Sequence, residues 1–218
     1  SKITPWNAGD MGPKRDITGE LAAALRAEGM KLLTTFHHAR NLQRYADKPG
    51  ETRFEDSHYP YLPGTATASN DPKLRLLYGN IPEAQWLETI WLGKLKEVID
   101  NYQPDIIWFD SWLDKIPEQY RQAFCAYYLN AALKWNRNVV IVRKQDDLPI
   151  EFTVNDHEKS RESGTSPRVW MTDDTISTGS WCYTRDLRIK PASQVIHALI
   201  DTVSKNGIVL LNLSPKAD

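Results

Sequence analysis

Helix-like segments alternate with short apolar strand-like segments along this sequence, and that alternation constrains the fold more than any other feature. Residues Ile17–Glu28 have the spacing of an amphipathic helix, with Asp16 as the predicted N-cap and Gly29 as the predicted C-terminal stop. Lys31–Phe36 follows as a short apolar strand. Because strands that alternate with helices form mainly parallel sheets, the pattern predicts the α/β class.

The same order recurs along the rest of the chain. Three further helices are predicted, at Pro82–Tyr102, Pro117–Trp135 and Pro191–Lys205. Four further strands are predicted, at Asp105–Asp110, Asn138–Val142, Val169–Thr172 and Ile208–Leu213. The longest predicted loops are His37–Asn80 and Arg143–Pro167. This pattern fits either part of a (β/α)8 barrel or an open doubly wound sheet, and no Gly-rich phosphate loop follows any strand to favour a dinucleotide-binding fold.

Composition disfavours several classes of protein. The 218 residues carry a formal net charge of −1, so we expect no nucleic-acid partner, and no apolar stretch is long enough to predict a membrane span. Cys125 and Cys182 are too few for a disulfide framework. The eight Trp and nine Tyr residues suit core packing or stacking on sugar rings, and composition alone does not separate the two roles.

Ionisable or amide side chains follow every predicted strand. In parallel α/β folds the functional groups cluster at the carboxyl ends of strands, so these residues are the candidates for a site. In chain order they are His37 and His38, Asp110, Arg143 and Lys144, Asp173 and Asp174, and Asn212.

Asp110 is the strongest of these candidates. It directly follows the apolar run DIIWF, and Trp108 and Trp112 flank it. We interpret this carboxylate as a nucleophile or a metal ligand, while an Asp that caps the following turn has the same signature.

His37 and His38 are candidates for a metal pair. Adjacent residues at a strand end point in opposite directions, so at most one of them faces a site there. We favour hydrogen bonding to sugar hydroxyls over a metal role, with ordinary loop histidines as the alternative. No HExxH motif or other zinc spacing is present, and we expect no metal and no cofactor.

Hydrolysis of a glycoside requires two carboxyl groups, one to attack the anomeric carbon and one to protonate the departing oxygen. The second group has to hold its proton near neutral pH. Four acids in the loop after the third predicted strand are candidates: Glu151, Asp156, Glu158 and Glu162. Each taken alone is also explained as a solvated loop acid.

Several segments together resemble family 29 glycoside hydrolases, the α-L-fucosidases. They are GPKRDITGELAAALRAEGMKL (Gly12–Leu32), YQPDIIWFDSW (Tyr102–Trp112), SWCY (Ser180–Tyr183) and NGIVLLNLSPKAD (Asn206–Asp218). The resemblance implies a (β/α)8 TIM-like barrel present only in part, about strands 4 to 8. Residues 1–218 would then be the C-terminal portion of a glycoside hydrolase catalytic barrel, and we expect the chain to be a fragment of a larger enzyme.

The resemblance also implies roles for individual residues. Asp110 is the expected nucleophile of a retaining, exo-acting enzyme whose two carboxyl groups lie about 5–5.5 Å apart. Many family members carry the acid/base Glu after a Trp, where this chain has Met171. DHEKSR (Asp156–Arg161) is similar to an acid/base motif of other members, which makes Glu158 the first choice and Glu162 the second. The expected pocket residues are His37, His38, Trp108, Trp112, Arg143, Lys144 and Trp181.

The expected substrate is a fucosylated oligosaccharide or glycoconjugate, and we expect the intact protein to be secreted or periplasmic. Three alternatives remain open from the sequence. The chain is compatible with a fucose-binding or inactive pseudoenzyme barrel, with a retaining glycosidase for another sugar, and with a metal-dependent hydrolase that uses His37, His38 and Asp110. Linkage specificity and oligomeric state are open as well.

Overall fold

The structure, a computed structural model, describes residues 1–45, 81–110 and 112–216. Most of the predicted loop His37–Asn80 lies outside the described residues. The chain divides into two compact units, Ser1–Val140 and Ile141–Asp218. Among the described residues, no helix has both the length and the apolar character that a membrane span requires.

The first unit contains a pair of parallel strands and most of the helices. The strands are β1 (Leu33–Phe36) and β2 (Ile106–Phe109), and Leu33 pairs with Ile106. The α-helices are α1 (Ile17–Ala27), α2 (Glu83–Trp86), α3 (Gly93–Tyr102) and α4 (Glu118–Trp135). A π-helical segment, Leu87–Leu92, joins α2 to α3, and 3-10 helices form at His38–Tyr45 and Leu113–Lys115. The prediction of a loop from His37 onward was therefore wrong for its first residues, because His38–Tyr45 form a 3-10 helix.

The helix ends follow local chemistry that is readable in the sequence. The side chain of Asp16 accepts a hydrogen bond from the Gly19 N–H at 3.0 Å, so the predicted N-cap of α1 is confirmed. Gly29 takes a φ of +69°, the left-handed conformation that commonly ends helices. Gln103 and Asn136 take the same conformation after α3 and α4.

An aromatic cluster packs against β2 and fixes which way its side chains point. The Phe109 ring lies 6.4 Å from the Trp91 ring and 5.0 Å from the Phe124 ring. All three side chains are buried. Since side chains alternate along a strand, Trp108 and the residue after the strand, Asp110, are expected to leave the opposite face of β2.

The second unit is a set of parallel strands with one helix. The strands are β3 (Val140–Arg143, whose first residue belongs to the first unit), β4 (Val154–Asp156), β5 (Trp170–Thr175) and β6 (Gly207–Asn212). Helix α5 (Ala192–Ser204) precedes β6. The parallel pairs are β3 with β4, β4 with β5, and β5 with β6.

Two strand predictions were wrong in this unit. β4 lies inside the predicted loop Arg143–Pro167, because three residues, two of them polar, form no apolar run. β5 continues past Thr172 through Asp173 and Asp174, which are strand residues instead of loop residues. Lys144 pairs with Asp173, and Lys190 pairs with Asp174. These ion pairs offset the free-energy cost of placing the two carboxylates in a strand that is largely buried.

Candidate active site

Asp110 lies directly after β2, where its backbone N–H donates a hydrogen bond to the carbonyl of Phe36 at 3.2 Å. This bond continues the β1–β2 ladder by one residue and holds the Asp110 backbone in place. Its side chain is 16% exposed, so the carboxylate is accessible while most of its surface is covered. A carboxylate with this combination of anchorage and access can act as a nucleophile or as a hydrogen-bond acceptor.

Two cationic or ionisable side chains approach the Asp110 carboxylate. His37 Nε2 lies 3.3 Å from Asp110 Oδ2, and Arg40 Nη2 lies 3.5 Å from the same oxygen. Arg40 is on the 3-10 helix that begins at His38, which brings it back toward the end of β2. The positive guanidinium stabilises the negative charge that an attacking carboxylate must carry.

The two tryptophans that flank Asp110 are largely buried. Trp108 is 7% exposed, and its ring meets the His37 ring edge-on at 6.1 Å. Trp112 is 4% exposed and has a φ of +69°, which is rare for a bulky residue. The expected contact of both rings with a sugar stays a prediction.

His38 contacts different residues from His37. Its Nε2 lies 2.9 Å from the carbonyl oxygen of Trp91, and its ring stacks on the Trp91 ring at 6.0 Å. Burial lowers the pKa of His38 to about 4, so this ring is neutral near pH 7. The adjacent histidines therefore diverge, as the sequence predicts. Among the described residues no three His, Cys, Asp or Glu side chains are grouped as metal ligands.

In the second unit, Lys144 lies between two carboxylates. Its Nζ is 3.0 Å from Glu158 Oε2 and 3.3 Å from Asp173 Oδ2. The side chains of Lys144 and Asp173 are 9% and 6% exposed, whereas that of Glu158 is 47% exposed. The buried ion pair of Lys144 and Asp173 therefore contacts one solvent-exposed carboxylate, that of Glu158. Lys144 was expected to contact the sugar, and the structure engages it with acidic side chains.

The other acid/base candidates have different surroundings. Glu162 is 39% exposed, and its Oε1 lies 3.2 Å from His157 Nε2. Asp156 is buried and accepts a hydrogen bond from the Asp173 N–H at 3.0 Å, which is a structural role. Glu151 is exposed. Glu158 and Glu162 are therefore the two partly exposed candidates with a positively charged or ionisable partner.

The remaining expected pocket residues are tied to nearby backbone. Arg143 Nη1 donates to the Leu148 carbonyl at 2.7 Å, which closes the turn after β3. The Trp181 carbonyl accepts a hydrogen bond from Asn212 Nδ2 at 2.7 Å, and the Trp181 ring lies 4.3 Å beneath Lys159 Nζ. Asn212 at the end of β6 thereby holds the backbone of Trp181, a residue that is half-buried. Whether Arg143 and Trp181 contact a sugar stays a prediction.

Comparison with known proteins decides the family. The α-L-fucosidase family model matches residues 1–218, which is the whole chain. The chain belongs to the α-L-fucosidase family. Its curated relatives include the tissue α-L-fucosidase of Rattus norvegicus, which is 26% identical over 221 residues, and that of Homo sapiens, which is 25% identical over 241 residues. Each match covers 98% of this chain, and the chain spans only 42% and 41% of those relatives.

Solved structures in the family share the fold. An α-L-fucosidase isoenzyme from Paenibacillus thiaminolyticus has a TM-score of 0.67 at 24% identity, covering 100% of this chain and 51% of that one. Another α-L-fucosidase has a TM-score of 0.69 at 22% identity, covering 99% of this chain and 43% of that one. The predicted class, a (β/α)8 barrel present in part, is confirmed. The described residues contain six of its strands.

Sequence reasoning missed two residues that contact the candidates, Arg40 and His157, and gave a third, Asp173, no specific role. Arg40 carried a signal, since it follows His37 by three residues and a helical turn brings such residues together. Asp173 was a general candidate because it follows a predicted strand, but neither a catalytic nor a sugar-binding role was assigned to it. His157 carried no signal, because it contacts Glu162 only through the turn that follows β4.

Proposed function

We propose that this protein is a retaining α-L-fucosidase that removes terminal α-linked L-fucose from glycans by double displacement. The observation that carries the proposal is the Asp110 carboxylate. It follows a buried strand, is held by His37 and Arg40, and remains partly exposed. The family model matches the whole chain that carries this carboxylate, residues 1–218.

Two structural relatives support the two-step chemistry. A Bacteroides thetaiotaomicron α-L-fucosidase is described as a trapped covalent intermediate with 2-fluoro-fucosyl fluoride in a Glu-to-Gln variant. The α-L-fucosidase AlfC is described in an Asp-to-Ala variant bound to 4-nitrophenyl α-L-fucopyranoside. An acidic nucleophile and a separate glutamate are the parts that a retaining glycosidase needs.

In the proposed first step an Asp110 oxygen attacks the anomeric carbon while the bond to the leaving oxygen breaks. The leaving oxygen takes a proton from a second carboxyl group, and a fucosyl ester on Asp110 results. In the second step the same group, now a carboxylate, removes a proton from water. The water oxygen displaces Asp110, and the released fucose keeps its anomeric configuration.

We propose Glu158 as the acid/base, with Glu162 as the second choice. Glu158 combines partial exposure with a fixed partner, Lys144, whose positive charge is offset by the buried carboxylate of Asp173. Met171, which stands where many family members carry the acid/base Glu, is buried and has no transferable proton. The role therefore needs a carboxyl group from elsewhere, and the segment after β4 supplies two.

Substitution of the nucleophile tests the proposal directly. Asp110→Ala in the purified protein should lower kcat on 4-nitrophenyl α-L-fucoside by at least about 10³-fold, because no other group can form the ester. Asp114→Ala is the matched control, since Asp114 is an acid close to Asp110 in the chain whose carboxylate lies 3.0 Å from Nζ of its neighbour Lys115. Full activity in Asp110→Ala would end the assignment. Mass spectrometry after reaction with 2-fluoro-fucosyl fluoride should find the label on the peptide that contains Asp110.

The acid/base assignment is tested with paired variants. Glu158→Gln should lose on the order of 10²–10⁴-fold in kcat on substrates with poor leaving groups, and much less on 4-nitrophenyl fucoside. Added azide should restore turnover and give fucosyl azide. Glu162→Gln should lack both signatures, and Glu151→Gln is the exposed control. If Glu162→Gln shows the signatures and Glu158→Gln does not, the role moves to Glu162.

A fucose-binding barrel without activity is the second candidate, favoured by Met171 in place of a Glu. It predicts that the wild-type protein binds L-fucose in calorimetry and turns over no aryl fucoside. Detectable wild-type hydrolysis that Asp110→Ala abolishes would exclude it.

A further inference from the structure

The short segment that carries Glu158 is attached to β5 by its backbone on both sides. The His157 N–H donates to the Met171 carbonyl at 2.9 Å, and the Lys159 N–H donates to the Asp173 carbonyl at 3.0 Å. Thr172 Oγ1 also donates to the His157 carbonyl at 2.6 Å. These bonds fix the backbone on either side of Glu158, so the position of its carboxyl group depends on the contacts of the side chain itself.

Lys144 restrains that side chain. Its Nζ contacts Glu158 at 3.0 Å from a position that is itself 9% exposed. An ammonium group on four methylenes is normally mobile, but burial of the stem limits its rotamers. The contact therefore sets where the Glu158 carboxyl group lies, in the way that partners of reacting groups hold them in productive geometry.

Asp173 balances the charge of Lys144 independently of Glu158. Its carboxylate is 6% exposed and lies 3.3 Å from Lys144 Nζ, while its Oδ1 is buried without a hydrogen-bond partner among the described residues. A buried ammonium without a counter-charge is costly. With Asp173 present, Glu158 can gain and lose a proton while Lys144 stays paired.

We propose that Lys144 and Asp173 are positioning residues that hold Glu158 for proton transfer and keep the surrounding charge balanced through its protonation cycle. This inference rests on the proposed function, with Glu158 as the acid/base. It replaces the expected role of Lys144 as a contact to the sugar.

Leaving-group dependence tests Lys144, because only proton donation is sensitive to it. Lys144→Met should lower kcat on phenyl α-L-fucoside on the order of 10²-fold. The loss on 4-nitrophenyl α-L-fucoside with azide present should stay within about threefold, since that substrate needs no proton. Lys144→Arg should recover most of the loss. A sugar-contact role instead predicts a raised KM and an equal loss on both substrates.

Asp173→Asn tests whether the negative charge of Asp173 is needed to balance the ammonium of Lys144. It should show the same leaving-group pattern at about tenfold, because the ammonium of Lys144 then loses the buried carboxylate that balances its charge independently of Glu158. Asp174→Asn is the matched control, since Asp174 is the next residue of β5 and pairs with Lys190 at 2.8 Å. The double variant Lys144→Met, Asp173→Asn removes both buried charges, so it should fold well and still show the steep leaving-group pattern.

The outcomes separate the two proposals. If Glu158→Gln shows the acid/base signature while Lys144→Met and the double variant keep wild-type leaving-group dependence, the positioning role is overturned and the proposed function stands. If wild-type protein hydrolyses no fucoside, or Glu158→Gln behaves as wild type, the acid/base assignment falls and this inference falls with it.

Discussion

Burial decides how much each ion pair of the candidate site contributes. Lys144 and Asp173 are both less than 10% exposed, so solvent screens their interaction poorly. Removal of one partner from such a pair typically costs about 3–5 kcal/mol, whereas an exposed pair contributes about 0–1 kcal/mol. Arg15 and Glu20, which are 63% and 48% exposed, form a pair that solvent screens strongly. Substitutions in the Lys144 cluster therefore need the double variant to separate stability from catalysis.

His38 should make the stability of the protein depend on pH. Its pKa is lowered from 6.5 to about 4, chiefly because burial disfavours the charged ring. The unfolded chain therefore binds the proton first as pH falls through about 6.5, and the folded chain binds it only near pH 4. The free energy of unfolding should fall by roughly 3 kcal/mol across that window and gain nothing above it.

Urea denaturation at a series of pH values measures the effect of His38. His38→Gln keeps an amide N–H that can reach the Trp91 carbonyl, and it should lose this part of the pH dependence. His197→Gln is the control, because His197 is exposed on α5. An unchanged pH profile in His38→Gln would show that other groups cause the acid sensitivity.

At the level of elements, the π-helical segment Leu87–Leu92 contacts a residue next to the candidate site. A π-helical turn inserts one extra residue and disturbs the regular hydrogen-bond ladder, and such segments often occur at functional sites. The Trp91 carbonyl in this segment is bonded to His38. Since His37 is next to His38 and contacts Asp110, this helix packs behind the residues that approach the proposed nucleophile.

Strand β6 approaches β5 closely at Gly207. A Cβ atom at Gly207 would lie 2.6 Å from the Trp170 ring and 2.6 Å from the Thr202 methyl group. Gly207→Ala should therefore destabilise the protein by about 1–3 kcal/mol, because both neighbours are buried and packed. Gly164→Ala is the control, since a Cβ there meets nothing within 4 Å. Equal stability of the two variants in urea would contradict the close packing.

At the scale of the whole molecule, two compact units each contain parallel strands, and the family match runs through both. The chain spans about two fifths of the length of the curated relatives from rat and human.

Removal of divalent metal should leave activity unchanged. Double displacement uses two carboxyl groups and needs no Lewis acid. Dialysis against a chelator should change kcat/KM on 4-nitrophenyl fucoside by less than about twofold. A loss of activity that an added metal restores would instead favour the metal-dependent hydrolase with His37, His38 and Asp110.

The sequence alone determined the features that depend on neighbours along the chain. Helix caps such as Asp16, the apolar run that ends at Asp110, and the alternation of strands and helices all follow from local periodicity and backbone chemistry. The divergence of His37 and His38 is of the same kind, since adjacent side chains point in opposite directions.

The tertiary structure decided which distant residues meet. His38 and Trp91 are 53 residues apart, and Lys144 and Asp173 are 29 apart, so no local pattern pairs them. Strand β4 exists because its neighbours β3 and β5 offer hydrogen bonds, although two of its three residues, Asn155 and Asp156, have low strand propensity. Long-range packing sets these contacts, and through them it sets which carboxylates are held, buried or open to a substrate.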